Sequence, residues 1–170
     1  MSPDTVTMKG NPLELEGNPV NVGDAAPEFR AVANDLSVVS PLQKYRGNVL
    51  ALVAVPSLDT SVCDLESRRF NQEAARLGGQ ARIVVISTDL PFAQKRWCGA
   101  AEATNLETLS DHRDAEFGRQ YGVLLKGLRL LARSIFVVDR NGTIAYKQIV
   151  PEVTHEPNYD EVLDAIRKLS

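Results

Sequence analysis

The sequence predicts an α/β fold, a mixed β-sheet flanked by helices on both faces. Three observations carry that expectation. The stretch "NVLALVAV", residues 48–55, is a nearly continuous apolar run, as expected of a strand buried on both faces. It is followed by a segment whose apolar residues recur with a helical period of 3.6, and then by a second apolar strand, "ARIVVIS". Near the end, "SIFVVDRNGTIAYKQIV" reads as two strands around Asn141-Gly142, a hairpin signal.

The elements follow in order. "TVTMK" and "PLELE" flank Gly10-Asn11 and predict a short N-terminal β-hairpin extension. "GDAAPEF" is a turn-rich connection, and "EFRAVA" and "SVVS" are weak strand candidates around Asn34-Asp35. After the first apolar strand, a helix is expected over residues 60–77, with Val62, Leu65, Phe70, Ala74 and Leu77 on one side. Glu66 projects onto the same arc, and nothing in the sequence explains it. A second helix starts near Asp89-Leu90-Pro91, with an Asp cap and an early proline, and fades near Gly99. "DAEFGRQYGV" suggests a third.

The terminal segment "NYDEVLDAIRKL" is a helix with an apolar stripe of Tyr159, Val162, Leu163, Ile166 and Leu169. Asn158 and Glu161 have the spacing of a capping box. Acidic residues open this helix and basic ones close it, in keeping with the helix dipole. The main order is strand, helix, strand, helix, strand hairpin, helix. The first strand–helix–strand unit is expected to be a parallel crossover, and the hairpin to add antiparallel strands to the same sheet. That order matches a thioredoxin-like architecture, with residues 1–170 as a single domain.

Composition excludes several classes. The chain has 170 residues, 44% hydrophobic and 24% charged, as in an ordinary globular domain. The net charge is −3 with no Lys/Arg block, which argues against nucleic acid or an acidic membrane as a partner. No apolar run reaches a membrane span. No basic segment followed by an apolar one opens the chain, so no signal peptide is expected and the expected compartment is the cytoplasm. Two cysteines, Cys63 and Cys98, do not make a disulfide scaffold. A bond between them in a reducing compartment is expected to be transient and catalytic.

Cys63 follows a buried strand and falls in the first turn of the next helix, at the carboxyl end of the sheet where α/β sites lie. With Thr60 as N-cap it is the third helical residue. Free N–H groups and the positive helix end favour a thiolate there, more so beside an Arg or Lys. Asp64 opposes this unless it points away. The same position also suits a small buried hydrophobe of the core, and the residues taken alone leave both readings open.

The neighbours add a pattern. Pro56, Thr60 and Cys63 reproduce P-x-x-x-T-x-x-C. With "MKGNP", "PSLDTSVCD", "DLPFAQKRWC", "EFGRQYGV" and "LLARSIFVVD" in order, nearly the whole chain resembles the bacterial thiol peroxidase branch of the peroxiredoxins, the atypical two-cysteine type. The resemblance implies a peroxiredoxin form of the thioredoxin-like fold and a thiol-dependent peroxidase for organic hydroperoxides and hydrogen peroxide. It implies Cys63 as the peroxidatic cysteine, which becomes a sulfenic acid, and Cys98 as the resolving cysteine, which closes an intramolecular disulfide. Thr60 is implied beside the sulfur and the peroxide, Pro56 as the shield of the loop, and Arg133 as the cation that favours the thiolate. Thioredoxin is the implied reductant and a homodimer the implied assembly, with no metal, haem or flavin.

Other readings stay beside it. Thr60 also reads as a plain N-cap, Pro56 as a turn residue, Arg133 as a solvated strand-end charge, and Cys98 as a helix-packing residue beside Trp97. A zinc set of Cys63, Cys98, His112 and His155 lacks finger-like spacing. Two rival functions are a redox-sensing or binding protein without turnover, and a peroxidase that uses Cys63 alone. The segment "LLKGLRLLARS" is compact where some family members carry a longer loop, which bears on the pocket mouth and substrate preference. Finally, a disulfide needs Cα atoms within about 7 Å. The reduced protein is therefore expected to hold the sulfurs too far apart, with local unwinding around one or both before they bond.

Overall fold

The computed structural model describes residues 5–170. The domain expected over residues 1–170 extends outside the described residues only at positions 1–4. The hairpin of β1 (Thr5–Met8) and β2 (Asn11–Glu16) forms as expected. The weak candidates form two very short paired strands, β3 (Ala31–Val32) and β4 (Val38–Val39). One helical turn, α1 (Pro41–Lys44), leads into β5 (Val49–Ala54). Then α2 (Ser61–Leu77), β6 (Ala81–Ser87), α3 (Pro91–Ala100) and β7 (Glu107–Ser110) alternate. The chain continues through α4 (Glu116–Gln120), β8 (Leu124–Leu125) and β9 (Leu130–Leu131). It closes with β10 (Ser134–Val138), β11 (Ile144–Ile149) and α5 (Tyr159–Leu169).

The main sheet has the order β11-β10-β5-β6-β7-β3-β4. β5, β6 and β7 run parallel, and β10 joins β5 and β11 antiparallel. Alternation along the central strands splits the core in two. Val49, Ala51 and Val53 of β5 face the layer that holds Phe70 of α2, Trp97 of α3, and Val162 and Ile166 of α5. Leu50, Leu52 and Ala54 face the opposite layer, with Phe117 of α4, Tyr121 and residues of the small sheet. That small sheet, β1-β2-β8-β9, joins the N-terminal hairpin to the compact segment after α4. The mixed, thioredoxin-like sheet with covered faces thus follows the expectation. Among the described residues no helix is long and apolar enough to cross a membrane.

Several local expectations change. β7 has too short and too polar a sequence to signal a strand, and β8 and β9 have two residues each. α4 stops at five residues because the chain turns at Gly122, at φ 68, where a Cβ would stand 2.8 Å from the Pro19 backbone. In α2, Leu65 is exposed and Glu66 is buried in its place. The helix ends on Gly78 in the left-handed region, a conformation that glycine takes without a Cβ penalty. Asp89 does not cap α3: the N-cap is Leu90, with no side-chain cap bond, and Pro91 opens the helix. For α5, the Asn158 side chain accepts from the Glu161 N–H, while its amide donates to the Glu161 carboxylate. The box closes side chain to side chain, because the Asn158 N–H donates to Gln148 instead.

Candidate active site

The site is built at the carboxyl end of β5. The strand hands its last backbone bond to β6, Val55 N to Ile86 O at 2.9 Å, and the chain turns at the buried Pro56. Asp89, just beyond β6, holds the loop that follows. Its carboxylate accepts from Ser57 Oγ at 2.7 Å, the Leu58 N–H at 2.8 Å and Ser87 Oγ at 2.7 Å. That commitment is the physical reason it is not a helix cap. Leu58 is then anchored in the core, and the next turn of chain opens α2.

Thr60 is the N-cap residue in backbone position, with φ −95 and ψ 149. Its hydroxyl makes no capping bond. It donates to Ser57 O at 2.9 Å, and Thr60 is exposed. Cys63 is the third residue of α2, as expected, and it is 0% exposed. Its side chain joins the core layer of Val53, Val55, Leu58 and Phe70. Asp64 points away from the sulfur, toward Arg68 Nε at 2.9 Å and Trp97 Nε1 at 2.7 Å. Its charge is thus engaged elsewhere.

Arg133 lies between β9 and β10 and is 2% exposed, so it is not the solvated strand-end charge that its residue type suggests. Its guanidinium makes three bonds. Nη2 donates to Cys63 Sγ at 3.3 Å, Nη1 to Glu66 Oε1 at 2.8 Å, and Nε to the carbonyl of Val153 at 2.9 Å. Burial works against its charge, but Cys63 and Glu66 outweigh burial and raise its pKa. The planar fork suits this role, because its donors are fixed in direction and its charge persists at any working pH.

Glu66 is the residue that sequence reasoning left unexplained. It lies one helical turn after Cys63 and is 0% exposed. Burial pushes its carboxyl up to about 7, with Arg133 pulling the other way. Oε2 is buried and has no hydrogen-bond partner among the described residues. One cation therefore serves two acids, the Glu66 carboxyl and the Cys63 thiol. An acidic residue on an apolar arc, one turn beyond a candidate nucleophile, was the available signal. Its partner lies far along the chain, so the sequence could not complete the pair.

Cys63 and Arg133 are thus brought into contact, while Pro56 and Thr60 lie on the loop that leads into α2. Cys98 is set apart. It is a free thiol, like Cys63, in the last turn of α3. Its sulfur lies 3.4 Å from Thr108 Oγ1 and 3.9 Å from Asn34 Nδ2. It lines a cavity of about 450 Å³ with Asn34, Lys44, Glu107 and Thr108. A second cavity, of about 430 Å³, opens over the start of α2 and is lined by Thr60, Asp64, Arg96 and Trp97 among others. Cys63 is buried and is not among its lining residues. Such an arrangement supplies a buried thiol with a fixed cation beside it, and a second thiol at the end of α3.

The Redoxin family model matches residues 21–163. The thiol peroxidase of Bacillus subtilis is 50% identical over 164 residues, covering 96% of this chain and 97% of that protein. The thiol peroxidase of Halalkalibacterium halodurans is 49% identical over 163 residues, covering 96% of this chain and 97% of that protein. Among solved structures, a peroxiredoxin-like protein from Aquifex aeolicus superposes with a TM-score of 0.90 at 42% identity, covering 99% of this chain and 98% of that one. The thiol peroxidase from Chromobacterium violaceum shares the fold, with a TM-score of 0.86 at 19% identity over 98% of this chain and 97% of that one. With a family model over most of its length and thiol peroxidase relatives at about half identity, the chain belongs to the Redoxin family, in its thiol peroxidase branch.

Proposed function

We propose that Cys63 is the peroxidatic cysteine and Cys98 the resolving cysteine of a thioredoxin-dependent enzyme that reduces organic hydroperoxides and hydrogen peroxide. The observation that carries this reading is the Arg133 guanidinium 3.3 Å from the Cys63 sulfur, at the first turn of α2. The Cys63 thiolate attacks one peroxide oxygen. The O–O bond breaks, the attacked oxygen stays on sulfur as a sulfenic acid, and the other leaves, with a proton, as water or alcohol. Arg133 favours the thiolate before attack and the charge growing on the leaving oxygen during it. Thr60 and Pro56 shape the approach, with Pro56 keeping water from the sulfur.

Cys98 then condenses with the sulfenic acid. An S–S bond forms and water leaves. Thioredoxin, a dithiol, takes over the disulfide by exchange and returns both cysteines to thiols. No step calls for a metal, haem or flavin. The same reading takes residues 1–170 as one domain of a homodimer acting in the cytoplasm, with disulfide turnover supplied by the reductant there.

The test is a coupled assay with thioredoxin, its reductase and NADPH, run with hydrogen peroxide and with cumene hydroperoxide. Turnover of both, lost in Cys63→Ser, is expected. Undiminished turnover in a folded Cys63→Ser protein would sink the reading. Thioredoxin-driven turnover at the parent rate in Cys98→Ser would leave a peroxidase that works through Cys63 alone.

A further inference from the structure

The segments that carry the two cysteines are already tied together, by their neighbours. Asp64, next to Cys63, accepts a hydrogen bond from the indole N–H of Trp97, next to Cys98, at 2.7 Å. Asp59 and Arg96 add an outer contact at 3.2 Å between the same two segments. That outer pair is exposed on both sides and so holds little. The inner bond differs. Trp97 is 7% exposed, and a buried indole N–H needs an acceptor. The acceptor here is a carboxylate, which makes the stronger kind of bond.

We propose that the Asp64–Trp97 bond is a latch that must open before Cys98 can reach Cys63, and that both residues are positioning residues for the resolving step. Consecutive residues on an α-helix point about 100° apart. While α3 is intact and Trp97 faces Asp64, Cys98 faces elsewhere, and it is found against Thr108 and Asn34. On α2 the same holds: with Asp64 facing Trp97, Cys63 faces the core and Arg133. The hydrogen bond and the disulfide are therefore alternative links between the same two helical turns. The latch holds the reduced arrangement in which Cys63 meets peroxide. Its release sets how fast the sulfenic acid becomes a disulfide and, by competition, how much goes on to sulfinic acid when peroxide is in excess. This inference rests on the assignment of Cys98 as the resolving cysteine.

The test follows the fate of Cys63 after mixing with peroxide, by rapid quenching with a thiol alkylator and mass spectrometry of the intact chain. Trp97→Phe keeps an aromatic ring in the core and loses only the donor at this contact. Asp64→Asn keeps the indole and weakens the acceptor. In Trp97→Phe, sulfenic acid formation is expected to keep its rate within about twofold. The following disulfide step should be roughly ten- to a hundredfold faster, as the loss of one charge-assisted bond from the closed state implies. The sulfinic fraction at fixed excess peroxide should fall accordingly, with Asp64→Asn between the variant and the parent. In the parent, hydrogen exchange over residues 60–66 and 92–100 should rise in the disulfide form, and the Trp97 emission should shift with the disulfide step. A disulfide rate unchanged or slowed in both variants overturns the latch alone. If the parent consumes peroxide but forms no Cys63–Cys98 disulfide, the resolving assignment is lost and the latch with it.

Discussion

Cys63 and Cys98 are the same residue type at opposite ends of two neighbouring helices. Cys63 stands in the first turn of α2, where unpaired N–H groups and the positive end of the dipole favour negative charge on sulfur. Cys98 stands in the last turn of α3, where the dipole has the other sign. Cys63 is 0% exposed and has a buried guanidinium at 3.3 Å. Cys98 is half-buried against the apolar core, and its polar contacts among the described residues are a hydroxyl and an amide. One environment offers a helix N-terminus and a guanidinium, the other a helix C-terminus and neutral partners. On the proposed function, what separates the attacking cysteine from the resolving one is the end of the helix and one cation, not the residue type.

The most severe way to break that comparison is to exchange its sulfurs for oxygens. Cys63→Ser is expected to abolish peroxide reduction, while Cys98→Ser keeps one full round of peroxide consumption and loses thioredoxin-driven turnover. Stopped-flow consumption of a single equivalent of peroxide separates the two. Equal loss in both variants would mean that the cysteines do not divide the work.

The next largest effect comes from removing the cation. Arg133→Met is expected to slow attack on peroxide by about 100-fold, as loss of one electrostatic stabiliser does elsewhere. It should also cost about 3–5 kcal/mol of stability, because Glu66 is left as an unpaired buried acid. Adding Glu66→Gln should restore much of the stability and little of the rate. If the double variant regains both, Arg133 serves only as the structural partner of Glu66, and the contrast between the two cysteines loses its electrostatic half.

Glu66→Gln alone sharpens the comparison through pH. The Glu66 carboxyl is pushed up to about 7, chiefly by burial. An acid in that condition binds its proton more tightly in the folded chain. Its contribution to stability is therefore whole below about pH 4.5 and is lost as pH rises through about 7. Asp111, pushed up to about 6 by burial, acts in the same direction over a lower window. Urea unfolding from pH 4.5 to 8 should show the parent losing stability across this range. In Glu66→Gln that loss should shrink by up to roughly 3 kcal/mol. An identical slope in the two proteins would mean that Arg133 keeps Glu66 ionised throughout.

Thr60→Val is the smallest change. Its hydroxyl holds Ser57 O and does not cap α2, so the expected loss is that of one net hydrogen bond, about 1 kcal/mol or less. Attack on peroxide should slow several-fold, from the lost hydroxyl and a looser loop. An unchanged second-order rate would leave Thr60 as a loop residue only.

Everything legible in the linear chain was local or periodic. The apolar run of β5, the opening of α2 at Thr60, the place of Cys63 in its first turn and the stripe of α5 all depend on residues within a few positions of one another. The tertiary structure decided everything that pairs distant residues. Arg133 was legible as a charge near a strand, but its burial depends on Glu66 and the Val153 carbonyl, neither of them near it in sequence. Glu66 looked like an interruption of an apolar face until its partner arrived. Asp89 looked like a helix cap, yet the loop ahead of Cys63 takes its carboxylate. The physical reason is the same in each case. A polar group satisfies its bonds wherever the fold brings a partner, and burial makes that demand strict, while a linear pattern reports only the neighbours along the chain.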